Sequence, residues 1–143
     1  MTYSFLRYIF WTDWGSVHPK IERASMDGDA VSRRVILDTD IMWPTALTLD
    51  TILQRVYFAD TKMQRIETCK YDGTSRVKIL ASGVLHPLGL SIFEDNLYYT
   101  DFSLDSVFHI NKLTGHRYEK LKVKPERPVG IRVVHQVLQK KGM

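Results

Sequence analysis

One four-residue pattern recurs through this chain and limits what it can fold into. Phe10-Trp11-Thr12-Asp13, Tyr57-Phe58-Ala59-Asp60 and Tyr98-Tyr99-Thr100-Asp101 each set two aromatics and a small residue before an aspartate. The aspartates are 47 and then 41 positions apart (60 − 13 and 101 − 60). A period of that length, carried by short strand-like runs, points to propeller blades and away from helical solenoids.

The remaining elements recur in the same order. A lead-in element precedes the later copies, Trp43-Pro44-Thr45-Ala46-Leu47 and His86-Pro87-Leu88-Gly89-Leu90, and appears again as Arg127-Pro128-Val129-Gly130-Ile131. Downstream come a strand-like run and a tight turn at Asp27-Gly28, Asp72-Gly73 and Thr114-Gly115, where glycine accepts the positive φ that such turns need. The pattern places a partial blade over 7–37, full blades over 43–81 and 86–123, a first strand of a closing blade over 127–135, and a basic tail over 136–143. Within these, strands are expected at Arg7–Asp13, Lys20–Ser25, Arg33–Leu37, Thr45–Asp50, Arg55–Asp60, Met63–Lys70 and Arg76–Ala81. Further runs are Leu88–Phe93, Asn96–Asp101, Ser106–Asn111, Tyr118–Val123 and Val129–His135.

At 143 residues the chain is long enough for about three blades of ~40–45 residues each. No run approaches the ~18 apolar residues of a transmembrane helix, so no direct membrane insertion is expected. The first residues lack a signal peptide's apolar core. Cys69 is the one cysteine, which precludes an internal disulfide and reads as a small buried hydrophobe. The net charge of +4 is scattered, with no nucleic-acid-binding motif around it.

These motifs, with Ile21-Glu22-Arg23-Ala24 and Phe93-Glu94-Asp95-Asn96-Leu97-Tyr98, resemble the YWTD (class B) repeats of the low-density lipoprotein receptor family. The resemblance covers Arg7 to His135. It implies an all-β fold, three consecutive blades of a six-bladed propeller, and is most like an endocytic lipoprotein-receptor-related protein. The function it implies is non-enzymatic: binding or releasing protein ligands in a cell-surface receptor ectodomain, extracellular or endosomal-luminal, beside cysteine-rich modules. A Wnt co-receptor-type propeller and a nidogen-type matrix protein are alternatives; a calcium-dependent lactonase-type enzyme is a more distant one.

The aromatics Trp11, Phe58 and Tyr99 are expected between neighbouring sheets. Asp13, Asp60 and Asp101 stand at strand ends, where a carboxylate accepts N–H bonds from the following turn. Recurrence in every copy marks them as structural, since a catalytic group need occur only once. No catalytic, cofactor-binding or metal-binding residues are assigned. Asp27-Gly28-Asp29 and Asp38-Thr39-Asp40 have calcium-like spacing but read as turn chemistry, and Asp50 is an isolated acid on the inner strands.

The candidate ligand face comprises Trp43, His86 and Arg127 in the lead-in loops, with Trp14 and His18 on the longer loop after the first motif; Trp and Arg dominate interface hot spots. In the resembling receptor a histidine precedes the proline of this lead-in element and serves pH-dependent release. His86 matches it and is the candidate pH sensor. The partner histidine's place is taken by Gln64, which cannot titrate, and Thr45-Ala46 stands where the family usually has Asn-Gly. Open strand edges at Arg7–Asp13 and Val129–His135 suggest self-association by strand exchange.

Overall fold

The computed structural model describes residues 7–15, 17–116 and 118–135, so the expected basic tail lies outside the described residues. The fold is all-β. Blade 1 is β1 (Tyr8–Asp13), β2 (Lys20–Ser25) and β3 (Arg34–Leu37), in that order. Blade 2 is β4 (Pro44–Asp50), β5 (Arg55–Asp60), β6 (Arg65–Lys70) and β7 (Val77–Leu80). Blade 3 is β8 (Pro87–Phe93), β9 (Asn96–Asp101), β10 (Ser106–Asn111) and β11 (Glu119–Lys120). Every pairing is antiparallel, and the blades keep one register: Trp11 faces Glu22, Phe58 faces Glu67 and Tyr99 faces Phe108.

Strand alternation explains the two buried layers. On β5, Val56 and Phe58 point toward blade 1 and pack with Ile21, Leu37, Ile41 and Cys69. Tyr57 and Ala59 point the other way and pack with Leu97, Tyr99, Phe108 and Val84 of the blade 3 side. Blade 2 therefore buries apolar side chains on both faces. Each fully buried large side chain there contributes roughly 2 kcal/mol of transfer free energy. Ile41 and Val84, three residues before the prolines of β4 and β8, plug the two seams from the lead-in loops. Burial pushes the Cys69 thiol up to about 11, as suits an inert core residue.

The turns are equally specific. Gly73 has φ +87°, and a Cβ there would lie 2.1 Å from the Ile36 carbonyl oxygen of blade 1. Gly115 repeats this against the Ile79 carbonyl of blade 2, at φ +72° and 2.1 Å. Each hairpin tip thus rests on the outer strand of the preceding blade, so close that only glycine fits.

Several expectations need correction: the bounds of β1, β4, β7 and β8 shift by one residue, to Tyr8, Pro44, Val77–Leu80 and Pro87, and four further runs differ for a physical reason. β6 begins at Arg65, not Met63, because Gln64 takes φ +55° and the Met63 N–H turns back to Asp60. A short 3-10 turn, Ala30–Ser32, capped by the Asp29 carboxylate, precedes β3, which starts at Arg34. The run Tyr118–Val123 shrinks to the two residues of β11. After Leu121 donates to Val107 O, the chain leaves β10, and the Arg127 N–H is caught by Asp105 Oδ1 at 2.8 Å. Val129–His135 forms no strand. It lies along β8 through side chains, with Thr100 Oγ1 donating to Val129 O and the Val133 N–H donating to Ser91 Oγ, both 2.9 Å. An inner strand acquires its ladder from the second strand of its own blade, and no such partner exists among the described residues.

Candidate functional site

The antiparallel order sends the starts of β4 and β8 and the ends of β1, β5 and β9 to one rim, since Pro44 pairs Asp60 and Pro87 pairs Asp101. The motif aspartates organise that rim. Asp60 accepts Met63 N–H of the following turn at 2.9 Å, and also Met42 and Trp43 N–H of the lead-in loop at 2.8 and 3.1 Å. Asp101 does the same with Ser103 and Leu104 on one side and Leu85 and His86 on the other. The carboxylate is thus a clamp holding two loops at once. The turn half of this role follows from the sequence. The lead-in half was missed, because it joins residues 15 to 18 positions apart.

The clamp sets where the lead-in side chains project. The Trp43 and Trp14 rings meet at 6.2 Å and 49°, and the Lys62 ammonium lies 5.3 Å from the Trp43 ring centre. Both tryptophans remain open to solvent, at 43% and 48% exposure. A cation over an indole is worth ~0.5–1 kcal/mol at such exposed sites, so Lys62 helps fix the ring. His86 packs against Phe102, ring centres 5.2 Å apart. The structure therefore joins Trp14 with Trp43 and gives His86 a separate neighbour. Arg127 is exposed with φ +46° beyond blade 3, and His18 is exposed in the β1–β2 loop. Lys62 and Phe102 were missed. Phe102 was findable, because it follows its motif aspartate as Trp14 follows Asp13.

The acids that invite other readings are engaged. Asp27 Oδ1 accepts Asp29 N–H, which lowers its pKa, and Asp29 caps the 3-10 turn. Asp40 pairs with Arg65 at 2.9 Å and is held below the usual carboxylate range by that guanidinium. Asp50, buried at the opposite rim, accepts Lys112 Nζ at 2.7 Å and the N–H groups of Ile52 and Leu53. Burial would raise its pKa, but Lys112 and the two amides outweigh it and lower it. Thr45 Oγ1 donates to Pro87 O, tying β4 to β8. Among the described residues no group of three or more His, Cys, Asp or Glu side chains could hold a metal, and no helix is long and apolar enough to cross a membrane.

Residues 7–51 match the family model described as low-density lipoprotein receptor repeat class B. The vitellogenin receptor Yl of Drosophila melanogaster is 45% identical over 107 residues, covering 75% of this chain and 5% of that protein. Low-density lipoprotein receptor-related protein 5 of Homo sapiens is 39% identical over 130 residues, covering 91% and 8%. The chain spans 5 to 8% of the length of the curated relatives it matches. A solved nidogen/laminin complex contains a chain that superposes with a TM-score of 0.75 at 26% identity, over 87% of this chain and 47% of that one. A luciferin-regenerating enzyme superposes with a TM-score of 0.67 at 15% identity, over 86% and 45%, a likeness of fold alone. The repeated motif, the three antiparallel sheets and these likenesses agree: the chain belongs to the low-density lipoprotein receptor class B, or YWTD, repeat family.

Proposed function

We propose that this chain is a non-enzymatic ligand-binding module of a lipoprotein-receptor-type, endocytic cell-surface ectodomain. The observation that carries the reading is the Trp14–Trp43–Lys62 platform, two half-open indoles and a cation on the rim where the lead-in loops gather. Rigid aromatic surface of this kind is what protein interfaces use as hot spots. The relatives named as vitellogenin receptors suggest a lipoprotein ligand, and purified vitellogenin is the probe. Surface plasmon resonance should show binding at pH 7.4 that Trp43→Ala weakens by roughly 30-fold, the ~2 kcal/mol of a hot spot. Unchanged binding by that variant would reject the platform.

His86 is the proposed pH sensor within this module, because imidazole gains its charge as pH falls through the endosomal range. Binding should then differ between pH 7.4 and 5.5, and His86→Ala should flatten the difference. A variant with the same pH profile would leave His86 as a packing partner of Phe102. A matrix role of the nidogen type has one observation in its favour, the superposition on the nidogen/laminin complex. Immobilised laminin in the same assay separates it, since binding to laminin but not vitellogenin favours that role.

A further inference from the structure

The rim opposite the lead-in loops holds a groove that the platform does not use. The β4–β5 and β8–β9 hairpins turn there, and a cleft of about 440 Å³ opens between them, where blades 2 and 3 meet. A second cavity of about 220 Å³ shares Lys112 and Leu113 with the first, so the two meet at those residues.

The walls of the larger cleft differ in chemistry. Hairpin turns favour small polar residues, and the β8–β9 turn is polar throughout, with Glu94-Asp95 alone. The β4–β5 turn runs over four residues, 51–54, and sets Ile52 and Leu53 in its middle, 89% and 47% exposed. Leu113, 56% exposed, joins them on the cleft. Exposed apolar residues scattered singly need no explanation, but three gathered on one concavity mark a binding surface.

These walls are fixed before anything binds. Asp50 Oδ1 accepts the Ile52 and Leu53 N–H groups at 3.1 and 3.0 Å, and Oδ2 accepts Lys112 Nζ at 2.7 Å. The Lys112 N–H donates to Asp95 O at 2.9 Å, and Lys112 O accepts the Tyr57 hydroxyl at 2.8 Å. One buried ion pair therefore ties the apolar turn, the acidic turn and the Leu113 backbone together. It also cancels its own charge. Arg55, in the smaller cavity, is engaged by Thr68 Oγ1 and Ser75 O. Glu94 and Asp95 are exposed, and neither carboxylate has a partner among the described residues. The free charge of the groove is thus negative, beside an apolar floor.

We infer that this groove binds an extended segment of a partner protein in which apolar residues alternate with Lys or Arg. One apolar side chain enters between Ile52 and Leu113, a basic neighbour meets Glu94 and Asp95, and the next apolar side chain takes the smaller cavity beside Val77. Two cavities meeting at Leu113 suit a stretch of chain, where a small molecule would need only one. The site is independent of the Trp14–Trp43–Lys62 platform, which lies on the other rim.

The test uses the full chain with labelled Ile and Leu methyl groups and indole N–H groups. Its probes are acetyl-Leu-Lys-Leu-Lys-amide and the same peptide with Glu for each Lys. The basic peptide should shift the Ile52, Leu53 and Leu113 methyl resonances at millimolar concentration and leave the Trp43 indole unmoved. The acidic peptide should bind at least about tenfold more weakly, since two attractions become two repulsions. Glu94→Lys combined with Asp95→Lys should reverse that preference, and Ile52→Ser should weaken the basic peptide at least about threefold. All three positions are exposed, and unchanged resonances from Leu97 and Ile66 in the core confirm the fold. Equal binding of the two peptides, shifts confined to the Trp14 and Trp43 indoles, or no shift at 10 mM (well above the ~1 mM range of weak docking) would each overturn the proposal. So would butylammonium alone moving the same methyl groups as strongly as the peptide.

Discussion

The seam between blades 1 and 2 and the seam between blades 2 and 3 share one backbone register but divide their chemistry in opposite ways. On the motif-strand layer, the first seam is ionic, built from Glu67, Arg65, Arg76 and Asp40. The same layer of the second seam is an aromatic stack of Tyr99, Phe108 and Tyr118. At the far rim the assignment reverses. Tyr71 packs there on Phe10 and Tyr8 in the first seam, while its counterpart Lys112 makes a buried pair with Asp50 in the second. Even the carbonyl is reused: Arg23 donates to Tyr71 O and Tyr57 donates to Lys112 O. The repeat therefore sets where a contact falls and leaves open which kind of contact fills it, provided both sides of a seam change together.

That rule is most severely tested at Lys112. Replacing it with methionine would leave the Asp50 carboxylate buried without its cation, at a cost of ~3–5 kcal/mol. Urea unfolding should show the loss, and adding Asp50→Asn to Lys112→Met should restore most of it. If the double variant is as unstable as the single, the pair is not the reason Lys112 is buried.

A smaller effect is expected from moving the ionic layer into the second seam. Phe108→Glu alone should destabilise by ~3 kcal/mol, the cost of an unpaired buried charge together with a lost aromatic. Adding Tyr118→Arg and Ser106→Arg should recover part of that, because the three residues then copy Arg65, Glu67 and Arg76. A triple variant no better than the single would show that the loop Ser82-Gly83 cannot accept an ionic layer.

The buried pair also gives the second seam an acid dependence. Asp50 has its pKa lowered in the fold, while the unfolded carboxyl titrates near ~3.9. Between those values the unfolded chain binds more protons, so stability rises with pH. The contribution is complete above the unfolded value and is lost as pH falls through the folded one. Thermal melts from pH 6 down to ~2.5 should fall less steeply in the Asp50→Asn, Lys112→Met variant. Equal slopes would assign the acid sensitivity to Glu22 and Asp40, whose carboxyls are lowered by Arg33 and Arg65.

How far the sequence spoke follows from the same distinction. The runs at Lys20–Ser25, Arg55–Asp60, Asn96–Asp101 and Ser106–Asn111 are strands with those bounds, because alternation and flanking turns are local signals. The run at Val129–His135 has equal β-character but no ladder, because strand formation there depends on a partner and not on its own residues. Trp14 and Trp43 were legible as exposed aromatics. Their contact was not, since it joins residues of different blades, and neither was the Lys62 cation that completes them.

The smallest expected effect compares Arg76 with Arg33, one engaged across a seam and one open to solvent. Each arginine holds a buried glutamate with two nitrogens, so removing either leaves a carboxylate short of donors. Arg76 also crosses its seam to two carbonyls, whereas Arg33 reaches solvent. Glu67 keeps Arg65 after Arg76→Ala, and Glu22 keeps the Trp11 indole after Arg33→Ala, so the intrablade losses are similar. The difference between the two variants then reports what Arg76 adds across the seam, its two carbonyl contacts together with its deeper burial, ~1 kcal/mol if the exposed-rim bonds contribute at the low end of their range. Urea unfolding of the two variants should put Arg76→Ala ~2 kcal/mol and Arg33→Ala ~1 kcal/mol below wild type. Equal losses in the two variants would mean that Arg76 serves its own blade only, and that Thr39 and Asp40 are seated by Arg65 and Asp60.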